Sequence, residues 1–213
     1  MNKHLNLNLI SVVVLFVLTS SALQAQAARK KQPAAPVNNP HFAQHTFKSD
    51  NGQTIDYWLM APATIEDGLK YPLVLSLHGV GGSTAAALLG KENNRKKYPC
   101  FVMATRVDTS DNYWARPNGF ELKDRKPKLS TALQAMVALV NQLPIDTSRI
   151  YDTGQSMGGG GTFGAIVSRP NTFAAAILIA SGWDPKDARK IKDISIWIFH
   201  GSSSKSDERN FEL

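Results

Sequence analysis

Short apolar runs alternate with stretches of helical periodicity through most of the chain, and that alternation restricts the fold more than any other feature. Leu73 to Leu77, Phe101 to Ala104, Arg149 to Asp152, Ala174 to Ile179 and Ile194 to Phe199 read as strands. Near-continuous apolar runs of this kind suit strands covered on both faces. Between them, Leu129, Leu133, Met136, Val137 and Val140 recur at helical spacing, with Pro144 as the stop. Ser83 to Lys97 and Met157 to Ser168 are further expected helices, the second ending before Arg169-Pro170. Strand–helix alternation builds an α/β fold, a mostly parallel sheet with helices on both faces. Ligands on such sheets bind at the carboxyl ends of the strands.

An antiparallel hairpin is expected to open the domain. His41 to Lys48 and Gln53 to Met60 flank Ser49-Asp50-Asn51-Gly52, and Asn-Gly between β-prone runs is a strong hairpin signal. Residues 1–27 read instead as a secretory signal peptide. Lys3 and His4 precede the apolar run Ile10 to Leu18, and Ala25-Gln26-Ala27 supplies the small residues of a cleavage site. The run is well short of the ~20 residues of a spanning helix, so no stable membrane insertion is expected after cleavage. No cysteine near the cleavage site marks a lipoprotein, and no Arg-Arg pair marks a twin-arginine signal. A Sec-type route to a secreted or periplasmic bacterial location follows. Residues 28–40 read as a flexible basic, Pro- and Ala-containing leader, and 41–213 as the folded domain.

Loss of Lys3 and no acid on cleavage takes the net charge from +7 to +6. Arg29-Lys30-Lys31 holds part of the excess and the rest is scattered, so no nucleic-acid partner is expected. The single cysteine, Cys100, excludes an intramolecular disulfide and reads as a small core residue.

The chemistry concentrates in Gly154-Gln155-Ser156-Met157-Gly158, placed directly between an expected strand and an expected helix. A serine on such a sharp turn projects its hydroxyl above the sheet. Glycines two before and two after make room for crowded backbone, and the next helix points its N-terminus at a developing oxyanion. Leu77-His78-Gly79-Val80-Gly81-Gly82 follows the first buried strand and can aim backbone N–H groups at the same oxygen. Gly159-Gly160-Gly161-Thr162-Phe163-Gly164 also fits a dinucleotide fingerprint, with Asp184 as its ribose acid. The serine turn occupies the place that fingerprint needs, so these glycines read as helix–sheet packing. No cofactor and no metal are implied.

YPLVLSLHGVGG, RIYDTGQSMGGGGTF and IWIFHG resemble secreted bacterial esterases of the α/β-hydrolase superfamily, in the dienelactone-hydrolase-like and polyhydroxybutyrate-depolymerase-like group. The resemblance covers roughly residues 41 to 201. It implies ester hydrolysis by a Ser-His-Asp triad through an acyl-enzyme, on a small-molecule or polymer ester. Ser156 is then the nucleophile, and Met157 and Val80 give the oxyanion N–H groups.

The remaining triad positions depart from the pattern. The family acid follows IWIFHG within a few residues; here Ser204 stands in its place, with Asp207 and Glu208 soon after as replacements. The family base follows one more strand, and no histidine lies beyond His200. His78 and His200 each end a strand before a glycine and read as structural, while His41 and His45 belong to the opening hairpin. The expectation is an incomplete domain that lacks its last strand and helix, with impaired activity. Two alternatives stay open: an inactive or vestigial binding protein, and an exported serine peptidase of the prolyl-oligopeptidase type. Tyr113, Trp114 and Trp183 read equally as pocket lining or as packed aromatics.

Overall fold

The computed structural model describes residues 37–110, 112–117, 123 and 125–201. The expected signal peptide, the leader as far as residue 36, and Ser204, Asp207 and Glu208 lie outside the described residues.

The hairpin forms as the Asn-Gly signal requires. β1 (Ala43–Lys48) pairs antiparallel with β2 (Thr54–Met60), from Ala43 opposite Leu59 to Lys48 opposite Thr54. Its turn closes through the Ser49 N–H on Gln53 O at 2.8 Å, and Gly52 takes φ 79°, where a side chain would be strained.

The remaining elements alternate. β3 (Tyr71–Leu77) precedes α1 (Thr84–Leu89) and α2 (Glu92–Lys97), and then comes β4 (Phe101–Arg106). A two-residue pair, β5 (Asn112–Tyr113) with β6 (Lys126–Pro127), leads to α3 (Leu129–Gln142). β7 (Ile145–Gln155), α4 (Met157–Ser168), β8 (Ala175–Ile179), a 3₁₀ turn (Pro185–Ile191) and β9 (Ser195–Phe199) complete the order. One seven-stranded sheet results, in the order β1-β2-β4-β3-β7-β8-β9. Only the contacts of β2 with β1 and β4 are antiparallel; every other pairing in it is parallel.

Side-chain alternation sends two apolar sets to opposite faces of the sheet. Leu73, Leu75, Leu77, Phe101 and Met103 join the core under α3 and α4. Val102, Ala104, Trp58 and Met60 join a smaller one with Ala86 of α1, and Cys100 packs there too. Burial pushes the Cys100 thiol up to about 11, so it stays protonated at neutral pH.

Three features differ from the sequence reading. The helix expected over 83–97 is two helices, broken at Gly90 and Lys91. A side chain at Gly90 would meet Asn39 Nδ2 at 2.8 Å and the Phe42 ring at 2.9 Å, so the break accommodates the segment before β1. β7 starts four residues early, because Ile145 pairs with Tyr71 before a register shift between Tyr71 and Leu73. Finally, β8 and β9 are not covered on both faces among the described residues. Trp197 is 68% and Phe199 50% exposed, and Ile177 of β8 is also open. Ile177 and Trp197, with Val74, Leu88 and Tyr151, line an apolar groove of about 670 Å³.

An apolar patch of this kind binds hydrophobic dyes. Trp197→Ser should lower the fluorescence of added anilinonaphthalene sulfonate severalfold, while folding stability shifts by about 0.5 kcal/mol or less, as for other exposed positions.

Candidate active site

Ser156 sits where β7 turns into α4, at φ 55° and ψ −117°. Among the described residues only Ser156 and Ala180 combine a side chain with positive φ. Such a conformation costs about 1–3 kcal/mol and persists only where surrounding structure over-determines it. Two backbone bonds hold it: the Ser156 N–H donates to Ile179 O at the end of β8 at 2.9 Å, and Ser156 O accepts from the Gly160 N–H at 3.1 Å.

The flanking glycines are steric necessities. A Cβ on Gly154 would lie 2.2 Å from Gly158 O, and one on Gly158 would lie 2.0 Å from Leu77 O at the end of β3. A Cβ on Gly79 would meet Gln155 O at 2.8 Å. The loop after β3 is therefore pressed against the serine turn, backbone to backbone. Val80 projects from that loop with 74% of its surface exposed. Met157 is the first residue of α4, whose leading N–H groups lack intrahelical acceptors.

A cavity of about 590 Å³ opens over this junction, lined by Ser156, Gln155, Val80, Thr84, Val37 and Asn38 among others. Among the described residues, no histidine and no carboxylate lines it. His78 is fully buried, and its ring ties the loop it opens to the residue after β4: Nδ1–H donates to Gly79 O, and Nε2 accepts from the Val107 N–H at 2.9 Å. Burial lowers its pKa, so the ring stays neutral. Its carbonyl accepts from Trp114 Nε1 at 2.9 Å. His41 pairs with Glu92 at 3.1 Å, and His45 stacks on Tyr57. His200 lines a different cavity of about 300 Å³, with Trp183 and Ser181.

The aromatic ambiguity resolves towards packing for Trp114 and Tyr113, both buried. A Cβ on Gly161 would fall 2.7 Å from Trp114 Cβ, and one on Gly159 would fall 2.6 Å from Ser181 Cβ. The glycine run of α4 thus lets that helix lie close to its neighbours, as the sequence reading held. Trp183 stacks on Phe163 and donates through Nε1 to Asp187 Oδ2 at 2.8 Å.

Asp152 carries no signal of its own in the sequence beyond being an acid inside an apolar run. It lies fully buried on β7, four residues before Ser156. Burial pushes its carboxyl up to about 8, opposed by the nearby Thr162 hydroxyl and Thr153 N–H. No contact to either oxygen reaches full hydrogen-bond geometry. Among the described residues no group of His, Cys, Asp and Glu could hold a metal ion, and no helix is long and apolar enough to cross a membrane.

Two predictions follow from this geometry. Ser156→Gly should stabilise the fold by about 1 kcal/mol in urea unfolding, because glycine relieves the positive φ. Asp152 has a folded pKa above its unfolded one, so its contribution is fully present below about pH 4 and is lost as pH rises to about 8. Asp152→Asn should therefore gain on the parent chain by about 1.4 kcal/mol per pH unit across that window, then level off. Both proteins share His78, so the difference reports Asp152 alone.

No family model matches the chain. Among curated proteins it is similar to feruloyl esterase D of Neurospora crassa, 24% identical over 164 residues, covering 72% of this chain and 54% of that protein. It is similar too to "Probable feruloyl esterase C" of Aspergillus terreus, 25% identical over 177 residues, covering 82% of this chain and 60% of that protein. The chain thus spans little more than half the length of these curated relatives. Among solved structures, a thermostable esterase superposes with a TM-score of 0.69 at 34% identity, over 78% of this chain and 48% of that one. An S-formylglutathione hydrolase from Staphylococcus aureus superposes with a TM-score of 0.55 at 15% identity, over 79% and 82%. Strand order, the strand–serine–helix turn and these neighbours together give the chain an α/β-hydrolase fold.

Proposed function

We propose that this chain is a serine carboxylic ester hydrolase that works through an acyl-enzyme on Ser156. The observation that carries the reading is the strained positive φ of Ser156 at a strand–helix turn, with a glycine loop pressed against it. Strain at a residue whose side chain opens into a cavity is a functional signature. The esterase names of the relatives and of the thermostable neighbour support the reading.

In the proposed reaction the Ser156 hydroxyl adds to the ester carbonyl carbon and gives up its proton to a base. The carbonyl oxygen becomes an oxyanion, held by the backbone N–H groups of Met157 and Val80. Collapse expels the alcohol and leaves the acyl group on Ser156 Oγ; water then releases the acid. One such N–H donor typically contributes about 3–4 kcal/mol at the transition state. Hydroxycinnamoyl esters are the first substrates to try, on the strength of the names the relatives carry. Residues 1–27 are proposed as a Sec-type signal, which places the protein in the periplasm or outside the cell.

No histidine lines the Ser156 cavity among the described residues, and His78 is fully engaged in holding its loop. Without a base, the oxyanion donors and binding leave roughly 10³–10⁴-fold acceleration over water. The same observation favours a second reading, a protein that binds an ester and does not cleave it.

A fluorophosphonate probe separates them. Covalent labelling that disappears in Ser156→Ala, with slow release of ferulate from methyl ferulate, is the expected result. Absence of both labelling and turnover would favour the binding protein, to be checked by equilibrium binding of methyl ferulate. Turnover at the rate of a complete triad would show a base outside the described residues.

A further inference from the structure

The segment before β1 is more firmly placed than its composition suggests. Asn39 Nδ2 donates to Gly90 O at 2.8 Å, across 51 residues of sequence, and Asn39 Oδ1 accepts from the His41 N–H at 2.9 Å. The Phe42 N–H donates to Asn39 O at 3.1 Å. His41 Nε2 reaches Glu92 Oε2 at 3.1 Å, beyond the helix break that Gly90 makes possible. Val37 is buried in the smaller core with Phe42, Trp58 and Ala86. A stretch with no regular secondary structure is thus tied to the end of α1, to α2 and to the sheet.

These ties put Val37 and Asn38 on the wall of the Ser156 cavity. The other walls come from the serine turn, from the loop after β3 and from α1. Most of those positions are committed to backbone geometry: Gly79 allows the close approach to Gln155, and Gln155 Oε1 accepts from the Thr84 hydroxyl at 3.2 Å. Val37 borders the cavity from its place in the smaller core and Asn38 is exposed, and none of the close glycine approaches at the serine turn involves either residue. The cavity has no charged lining among the described residues, which suits a neutral ester.

We infer that Val37 and Asn38 form a specificity-determining wall of the Ser156 cavity, against which the bulkier group of a neutral carboxylic ester packs. The inference rests on Ser156 being the nucleophile. Removing bulk at Val37 widens the site for large groups. Adding bulk at Asn38 narrows it, and the exposed position tolerates the change in the folded chain.

The test uses two fluorophosphonates, one with short alkyl substituents and one with a long alkyl chain, and follows the rate at which each labels Ser156 by peptide mass mapping. The measured quantity is the long-to-short rate ratio. It should fall about tenfold in Asn38→Trp and rise in Val37→Ala, a range typical of pockets that gain or lose a few apolar atoms. Thermal melting by circular dichroism confirms that each variant is folded, and either folded variant suffices. Labelling of Ser156 with an unchanged ratio in the folded variants overturns the wall and leaves the nucleophile standing. No labelling of the parent chain by either probe overturns the nucleophile, and the wall with it.

Discussion

The end of β3 and the start of α4 meet with no side chain between them, and the candidate site depends on that contact. Gly158 lies where a single Cβ would come within 2.0 Å of Leu77 O, and Gly154 where one would come within 2.2 Å of Gly158 O. Only bare backbone lets the two central strands and the helix converge this closely. The chain reverses at Ser156 within this convergence, and Ser156 takes a positive φ there. The convergence also presses the loop after β3 against the turn at Gly79, with Val80 lining the cavity above.

Buried polar groups around that contact fall into two kinds. His78 and Trp114 are satisfied: the imidazole clamps Gly79 to Val107, and the indole closes on the His78 carbonyl. They hold the loop rigid from beneath. Asp152, four residues before Ser156 on β7, is not satisfied; burial favours its neutral form, and ionising it as the pH rises costs stability. A carboxyl in that position weakens the sheet–α4 interface on which the serine turn is built.

Local signals made the architecture legible. Asn51-Gly52 specifies its hairpin because a two-residue preference decides the turn, and Met157 to Ser168 is helical over the expected span. Gly154 announces the serine turn because its close approach to Gly158 lies within five residues of sequence, whereas Gly158 makes room for Leu77, far earlier in the chain. What was not legible depends on long-range packing. The break at Gly90 is imposed by Asn39 and Phe42, far earlier in the chain. Trp114 packs in the room that Gly161 leaves, 47 residues further along the chain. Val37 and Asn38 fall in a stretch whose composition reads as a leader, and their place beside Ser156 follows from contacts no local pattern encodes. The exposed face of β8 and β9 reads from the sequence as strands buried on both sides; its exposure emerges only when the described elements are assembled.

Chemistry at Ser156 is the central claim, and trapping the acyl-enzyme tests it most directly. The chain is mixed with a nitrophenyl ester, quenched in acid within seconds and digested, and the peptides are mapped by mass. The account predicts an acyl adduct on the peptide containing Ser156, and on no other serine. An unmodified Ser156, together with nitrophenol release above the buffer rate or acyl groups on other residues, would contradict it.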